Sequence, residues 1–137
     1  MKRFRQNITI MFSDCDTAQI VFYPNYFRWF DQATQRMFNE VDLKWSKMWP
    51  KYDMAGVPLV DVSAKFTGPA KMDEDIVLET WIDEWKGKIF IVRHDIIKDD
   101  KVIVEATEIR AWAIRDKDAA NGIRAGVIPD EVKARFE

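Results

Sequence analysis

Between Pro24 and Val41 the chain carries apolar residues at Tyr26, Phe30, Ala33, Met37 and Val41, and Phe27 and Phe38 widen the stripe. Steps of three and four predict a single helix over 24–41. Pro24 suits its first position, where no N–H is needed. A helix apolar over so much of its circumference must be covered on more than one side. The rest of the chain has to supply that cover.

That remainder reads as strands. Residues 4–11 alternate, with Phe4, Ile8 and Ile10 on one side. After a Trp-rich link (Trp45, Trp49, Pro50), residues 59–67 form a strand ending at Gly68-Pro69. Residues 76–85 and 89–97 pair through the Lys86-Gly87-Lys88 turn, and residues 102–114 form a long strand after Lys98-Asp99-Asp100-Lys101. A loop over 116–126 and a helical turn from Asp130 complete the chain. The expected fold is α+β, a long central helix wrapped by a curved antiparallel sheet of about five strands. With 137 residues, 47% hydrophobic content and no internal linker, residues 1–137 read as one domain. Trp81, Trp85 and Trp112 on the long strands suggest a sheet face or edge used in self-association.

Composition narrows the chemistry. A net charge of -2 gives no electrostatic case for nucleic acid or an anionic membrane as partner. No stretch approaches the roughly 18 apolar residues of a membrane span. The opening Met1–Gln6 is charged without a following apolar run, so a cytoplasmic location is expected. A single cysteine, Cys15, forms no intrachain disulfide, and with a single histidine, His94, a Cys/His zinc site is not expected. There is no G-x-S-x-G, Walker A or G-x-G-x-x-G pattern. No cofactor or metal is expected; carboxylates, backbone amides and water must do any chemistry.

The residues for that chemistry are densest from Asp14 to Tyr26. Asp14 and Asp16 lie two apart just ahead of the helix, whose start offers unpaired N–H groups and partial positive charge. Such amides stabilise an oxyanion in acyl transfer, and a facing carboxylate attacks the carbonyl or activates water. An acidic pair before a helix also serves as a simple cap. Spacing alone leaves both readings open.

The run Asp14-Cys15-Asp16-Thr17-Ala18-Gln19-Ile20-Val21-Phe22-Tyr23-Pro24-Asn25-Tyr26-Phe27-Arg28-Trp29 resembles the signature of the 4-hydroxybenzoyl-CoA thioesterase family of hotdog proteins. The resemblance continues through Asp31, through the stretch from Glu84 to His94, and through Glu108-Ile109-Arg110. It implies that Asp16 is the catalytic carboxylate and that the Tyr23 amide polarises the thioester oxygen. It also implies that Asp31, with Trp45 (or Trp49), receives the polar end of an aryl group, with Gln19 and Phe27 nearby. Gln19 stands where the family has Gly, which bears on loop geometry. Hotdog sites lie between subunits, so the resemblance implies a homo-oligomer, a dimer or a dimer of dimers.

Lys86, Lys88, Arg115 and Arg124 are candidates for the phosphates of CoA, with Lys88 and Arg124 favoured by the resemblance. Arg28 is a possible ion-pair partner for Asp31. His94 reads as a core or interface residue, Cys15 as a small buried hydrophobe, and Glu79, Arg93, Glu108 and Arg110 as cross-strand charge pairs. The expected function is hydrolysis of an aryl-CoA thioester, with 4-hydroxybenzoyl-CoA foremost. The alternatives are a thioesterase for aliphatic acyl groups and a non-catalytic module binding acyl-CoA or acyl carrier protein. A hydratase of the same fold ranks last, because its usual helix histidine is missing from 24–41.

Overall fold

The computed structural model describes residues 2–137. Its elements run β1 (Arg3–Thr9), α1 (Pro24–Glu40), α2 (Trp45–Lys51), β2 (Met54–Gly56), β3 (Leu59–Phe66), β4 (Asp75–Lys86), β5 (Ile89–Lys98), β6 (Lys101–Ala111), β7 (Ala113–Arg115), β8 (Ile123–Ala125) and α3 (Asp130–Ala134). Five strands form one antiparallel sheet in the order β1-β4-β5-β6-β3. Asp99 and Asp100 both adopt positive φ, 51° and 62°, as the tight turn between β5 and β6 requires.

Helix α1 lies on the inner face of this sheet as its stripe demands. Tyr26, Phe30, Ala33, Met37 and Phe38 are buried. Inward positions of the strands meet them: Ile76, Leu78 and Ile82 on β4, Phe90, Val92 and Ile96 on β5, Val104 and Ala106 on β6. The apolar contacts divide into two clusters. One gathers Tyr26, Phe30 and Ala33 with Leu78, Ile96 and Ala106. The other gathers Met37 and Phe38 with Ile82, Phe90, Val92 and Trp112. Between them the inward residues are polar: Thr34, Thr80, His94 and Glu108, all at most 1% exposed, with Arg110 beside them at 3%. A polar layer therefore crosses the core under the middle of the helix.

The sequence reading needs several corrections. The expected strand over 102–114 ends at Ala111. Its partner β3 begins only at Leu59, and Pro58 offers no N–H to extend the ladder. The chain turns at Trp112, and β7 joins β2 and β8 in a separate three-stranded sheet, so the expected 116–126 loop contains a strand. Trp112, expected with Trp81 and Trp85 at a face or edge used in self-association, is instead 1% exposed and packs edge-on to Tyr52 at 5.7 Å. Trp85 lies against Phe90 and Phe136, and Trp81 lies under the Arg3 guanidinium at 3.7 Å. The Trp-rich link is the helix α2. The apolar edge left open is β3, where Leu59, Val60, Val62 and Phe66 are 39–62% exposed.

Of the charges expected to pair across strands, Glu79 and Arg93 do so. Glu79 bonds Arg3 and Arg5 of β1, each at 2.7 Å. Arg93 faces Asp83 at 3.8 Å. Glu108 and Arg110 pair along one strand rather than across two.

Candidate active site

The segment before α1 is a loop closed on itself by backbone bonds. Asp16 N–H donates to Ile20 O (3.0 Å), Gln19 N–H to Asp16 O (2.9 Å) and Phe22 N–H to Asp14 O (2.8 Å). The two aspartates do different things. Asp14 is committed to structure: its carboxylate accepts the Met11 N–H at 2.8 Å, and its carbonyl also accepts the Asn25 side-chain amide at 2.8 Å. Asp16 is exposed, and one carboxylate oxygen accepts the Ala18 N–H at 2.9 Å. Its other oxygen has no partner among the described residues.

Tyr23 is the residue that opens α1, at φ -54° and ψ -32°. The amides around it are occupied: Phe22 bonds Asp14 O, Asn25 bonds Phe22 O, and Tyr26 bonds Tyr23 O. Pro24 has none to give. The Tyr23 N–H has no acceptor among the described residues, and it sits at the positive end of a 17-residue helix. An unpaired oxygen anion is the ligand such a donor takes best.

Gln19 holds φ at 64°, the left-handed conformation that glycine adopts without cost. Its side chain is exposed, with no hydrogen bond among the described residues. The loop therefore keeps a glycine-like backbone despite the missing glycine. Cys15 is half-buried rather than buried, and its thiol donates to Met11 O at 3.5 Å. Phe27 is half-buried and packs edge-on against Phe30 (5.9 Å) and Phe66 (6.4 Å).

Asp31 lies eight residues beyond Tyr23, about 12 Å along the helix axis. It pairs not with Arg28 but with Arg110, at 2.8 Å. Arg110 also lines a cavity of about 280 Å³ with Trp45, Gly56, Val57 and Ile123. The Trp45 indole N–H is buried and has no partner among the described residues, while Trp49 stacks on its ring at 5.3 Å. One protomer thus brings Asp31, Arg110 and Trp45 together. It does not bring Asp16 or Tyr23 to them. A second cavity, about 290 Å³, lies at the helix start between Tyr23, Tyr26, Phe66 and Pro69.

Arg110 and Glu108 were not among the expected site residues, although strand parity carried a signal. Val104, Ala106, Glu108, Arg110 and Trp112 share one side of an extended chain, so two charges fall among inward apolar residues. Glu108 accepts the Thr34 hydroxyl (2.6 Å), two guanidinium bonds from Arg110 (3.1 and 3.0 Å) and His94 Nε2 (3.2 Å). His94 Nδ1 lies 2.8 Å from the Thr80 hydroxyl, so the Nε2–H tautomer satisfies every partner. Burial pushes the Glu108 carboxyl upward, but its bonds to His94 and Arg110 overcome this and hold it at about 2. The expected core role of His94 agrees with its complete burial, where it stacks on Phe30 at 4.7 Å.

The phosphate candidates lie at one end of the sheet. Trp112 N–H bonds Lys88 O (2.9 Å) and Ile128 N–H bonds Gly87 O (3.0 Å), tying the 86–88 turn to the small sheet that carries Arg124. Lys86 leans toward Glu84 at 3.7 Å and Arg124 bonds Asp116 at 3.0 Å. Lys88 and Arg115 are exposed and have no ion-pair partner among the described residues.

A family model described as the Thioesterase-like superfamily matches residues 10–136. The chain belongs to that superfamily. It is 35% identical over 120 residues to the 4-hydroxybenzoyl-CoA thioesterase of Pseudomonas sp. strain CBS-3, covering 83% of this chain and 85% of that one. A crystal structure of a 4-hydroxybenzoyl-CoA thioesterase aspartate-to-asparagine mutant with 4-hydroxybenzoyl-CoA superposes with a TM-score of 0.89 at 30% identity, covering all of both chains. A gentisyl-coenzyme A thioesterase superposes with a TM-score of 0.79 at 32% identity, over 97% of this chain and 98% of that one. The fold of this thioesterase is accordingly the hotdog fold, with α1 its central helix.

Two outcomes follow for the site scaffold. Gln19→Gly removes left-handed strain and should raise unfolding free energy by up to about 1 kcal/mol, read from urea denaturation. Glu108 is held below its ordinary 4.5 in the folded state, so its contribution is complete above pH 4.5 and is lost as pH falls to about 2. That window should carry about 3 kcal/mol. Urea midpoints from pH 5 to 2 should fall more steeply for wild type than for Glu108→Gln.

Proposed function

We propose that this thioesterase hydrolyses an aryl-CoA thioester, most specifically 4-hydroxybenzoyl-CoA, to the free acid and CoA. The observation that carries this reading is the bond that holds Asp31 to Arg110, a residue that shares the wall of a cavity with Trp45. A ligand hydroxyl donates to the free oxygen of Asp31, whereas an alkyl chain cannot. The names of the relatives point the same way, since 4-hydroxybenzoyl and gentisyl groups are both hydroxylated aryl groups.

In this reading the carboxylate oxygen of Asp16 that Ala18 leaves free acts on the thioester carbonyl carbon. As nucleophile it forms a mixed anhydride and releases CoA thiolate, and water then cleaves the anhydride. As general base it takes a proton from the attacking water. Either route places negative charge on the carbonyl oxygen, and the Tyr23 N–H at the positive end of α1 receives it. The phosphates of CoA rest on Lys86, Lys88 and Arg124. Because Asp16 and the Asp31 pocket lie apart in one protomer, a second copy completes the site. The open β3 edge, with its row of exposed apolar side chains, suits pairing with that copy.

The test is thiol release from 4-hydroxybenzoyl, benzoyl, phenylacetyl and short to long alkanoyl CoA esters. Asp16→Asn should keep its fold and lose about 10²–10⁴ in kcat, and Asp31→Ala should lose the preference for 4-hydroxybenzoyl. A wild type preferring alkanoyl esters removes the aryl substrate. Near wild-type turnover by Asp16→Asn removes the aspartate, and saturable binding with no thiol release from any ester leaves a binding module.

A further inference from the structure

The polar layer across the core ends on Asp31, and the mechanism above does not use it. Arg110 is its outermost buried member, with a side chain 4% exposed. Four of its five N–H groups are committed. Nε donates to Glu108 Oε1 (3.1 Å), and one terminal nitrogen donates to both Glu108 Oε2 (3.0 Å) and Asp31 Oδ1 (2.8 Å). The other terminal nitrogen donates to Val57 O (3.0 Å).

This guanidinium has no freedom to swing. Glu108 holds it by two bonds, and Glu108 is itself fixed by Thr34 from α1 and His94 from β5. Val57 fixes it from the chain between β2 and β3. Asp31 is 59% exposed, and a carboxylate so open would otherwise sample several rotamers. Among the described residues, the one feature that ties it down is the bond from Arg110. That bond uses a single oxygen of Asp31, and no described residue uses the other. Arg110 also forms part of the cavity wall beside Trp45.

We infer that Arg110 is a specificity-determining positioning residue. Seated by Glu108, it fixes the Asp31 carboxylate so that its free oxygen accepts a hydrogen bond from a hydroxyl on the acyl group, and it thereby selects hydroxylated aryl esters. This rests on the aryl-CoA reading above. A neutral acyl hydroxyl fits best, because an acyl anion would meet the Asp31 charge across the same short distance. The polar layer then has a function beyond holding the two apolar clusters in register: it carries a fixed cation from the middle of the sheet to the wall of the acyl cavity.

Lysine keeps the charge of Arg110 but lacks the planar fork that bridges two carboxylates. The measured quantity is the ratio of kcat/KM for 4-hydroxybenzoyl-CoA to that for benzoyl-CoA. Arg110→Lys should lower this ratio about tenfold to a hundredfold, mainly through KM for the hydroxylated ester. Adding Arg110→Lys to Asp31→Asn should lower the ratio no further, since both act on one contact. If Arg110→Lys does not fold, the paired Arg110→Met/Glu108→Met change removes both buried charges together and should show the same loss. A folded variant whose ratio matches wild type, or whose kcat/KM falls equally for both esters, overturns the role of Arg110 alone. A wild type without preference between the two esters overturns the aryl reading, and the role of Arg110 with it.

Discussion

Everything in this thioesterase hangs on the packing of α1 against the inner face of the sheet. The stripe from Tyr26 to Phe38 is too broad to rest on one neighbour, so the strands curl around it and both ends of the helix are fixed relative to the sheet. That fixes two further positions. Tyr23 stands at the first turn with an N–H that no described residue accepts, and Asp31 stands about two turns on, on the flank that faces β6.

The packing is not uniformly apolar. Thr34, Thr80, His94, Glu108 and Arg110 interrupt it, and each finds partners in the others. A layer of this kind gains little stability over an apolar one, because the cost of desolvating charge is large. It does make the register of helix on sheet specific, since a slip by one residue would strand Glu108 or Arg110 without a partner. The same layer delivers a guanidinium to Asp31, so fold specificity and the proposed substrate selection come from one set of residues.

Much of this was legible in the sequence, for a physical reason. The helix over 24–41 and all five main strands are recognisable in the sequence, because burial on one face imposes a period. The Asp14-to-Asn25 segment stood out because two carboxylates precede a helix start. Which aspartate is free could not be read from spacing: only the fold shows Asp14 capping Met11 while Asp16 keeps an open oxygen. The turn at Trp112 was hidden because strand parity continues through it, and the interruption comes from Pro58 on a neighbouring chain segment. Asp31 was seen to need a partner, but Arg110 lies 79 residues away and pairs with it only through the sheet. Gln19 departs from the family's glycine, and spacing could not show that its backbone takes the conformation a glycine would take.

The central claim is that the start of α1 polarises an aryl thioester held next to Asp16. Isotope-edited infrared difference spectra of carbonyl-labelled 4-hydroxybenzoyl-CoA bound to the Asp16→Asn variant test it most directly. The bound ester should show a carbonyl band at lower frequency than that of the free ester in water, because the Tyr23 N–H and the helix end draw charge onto the oxygen. A band at the free-ester frequency or above it would mean that the helix start does not polarise the thioester.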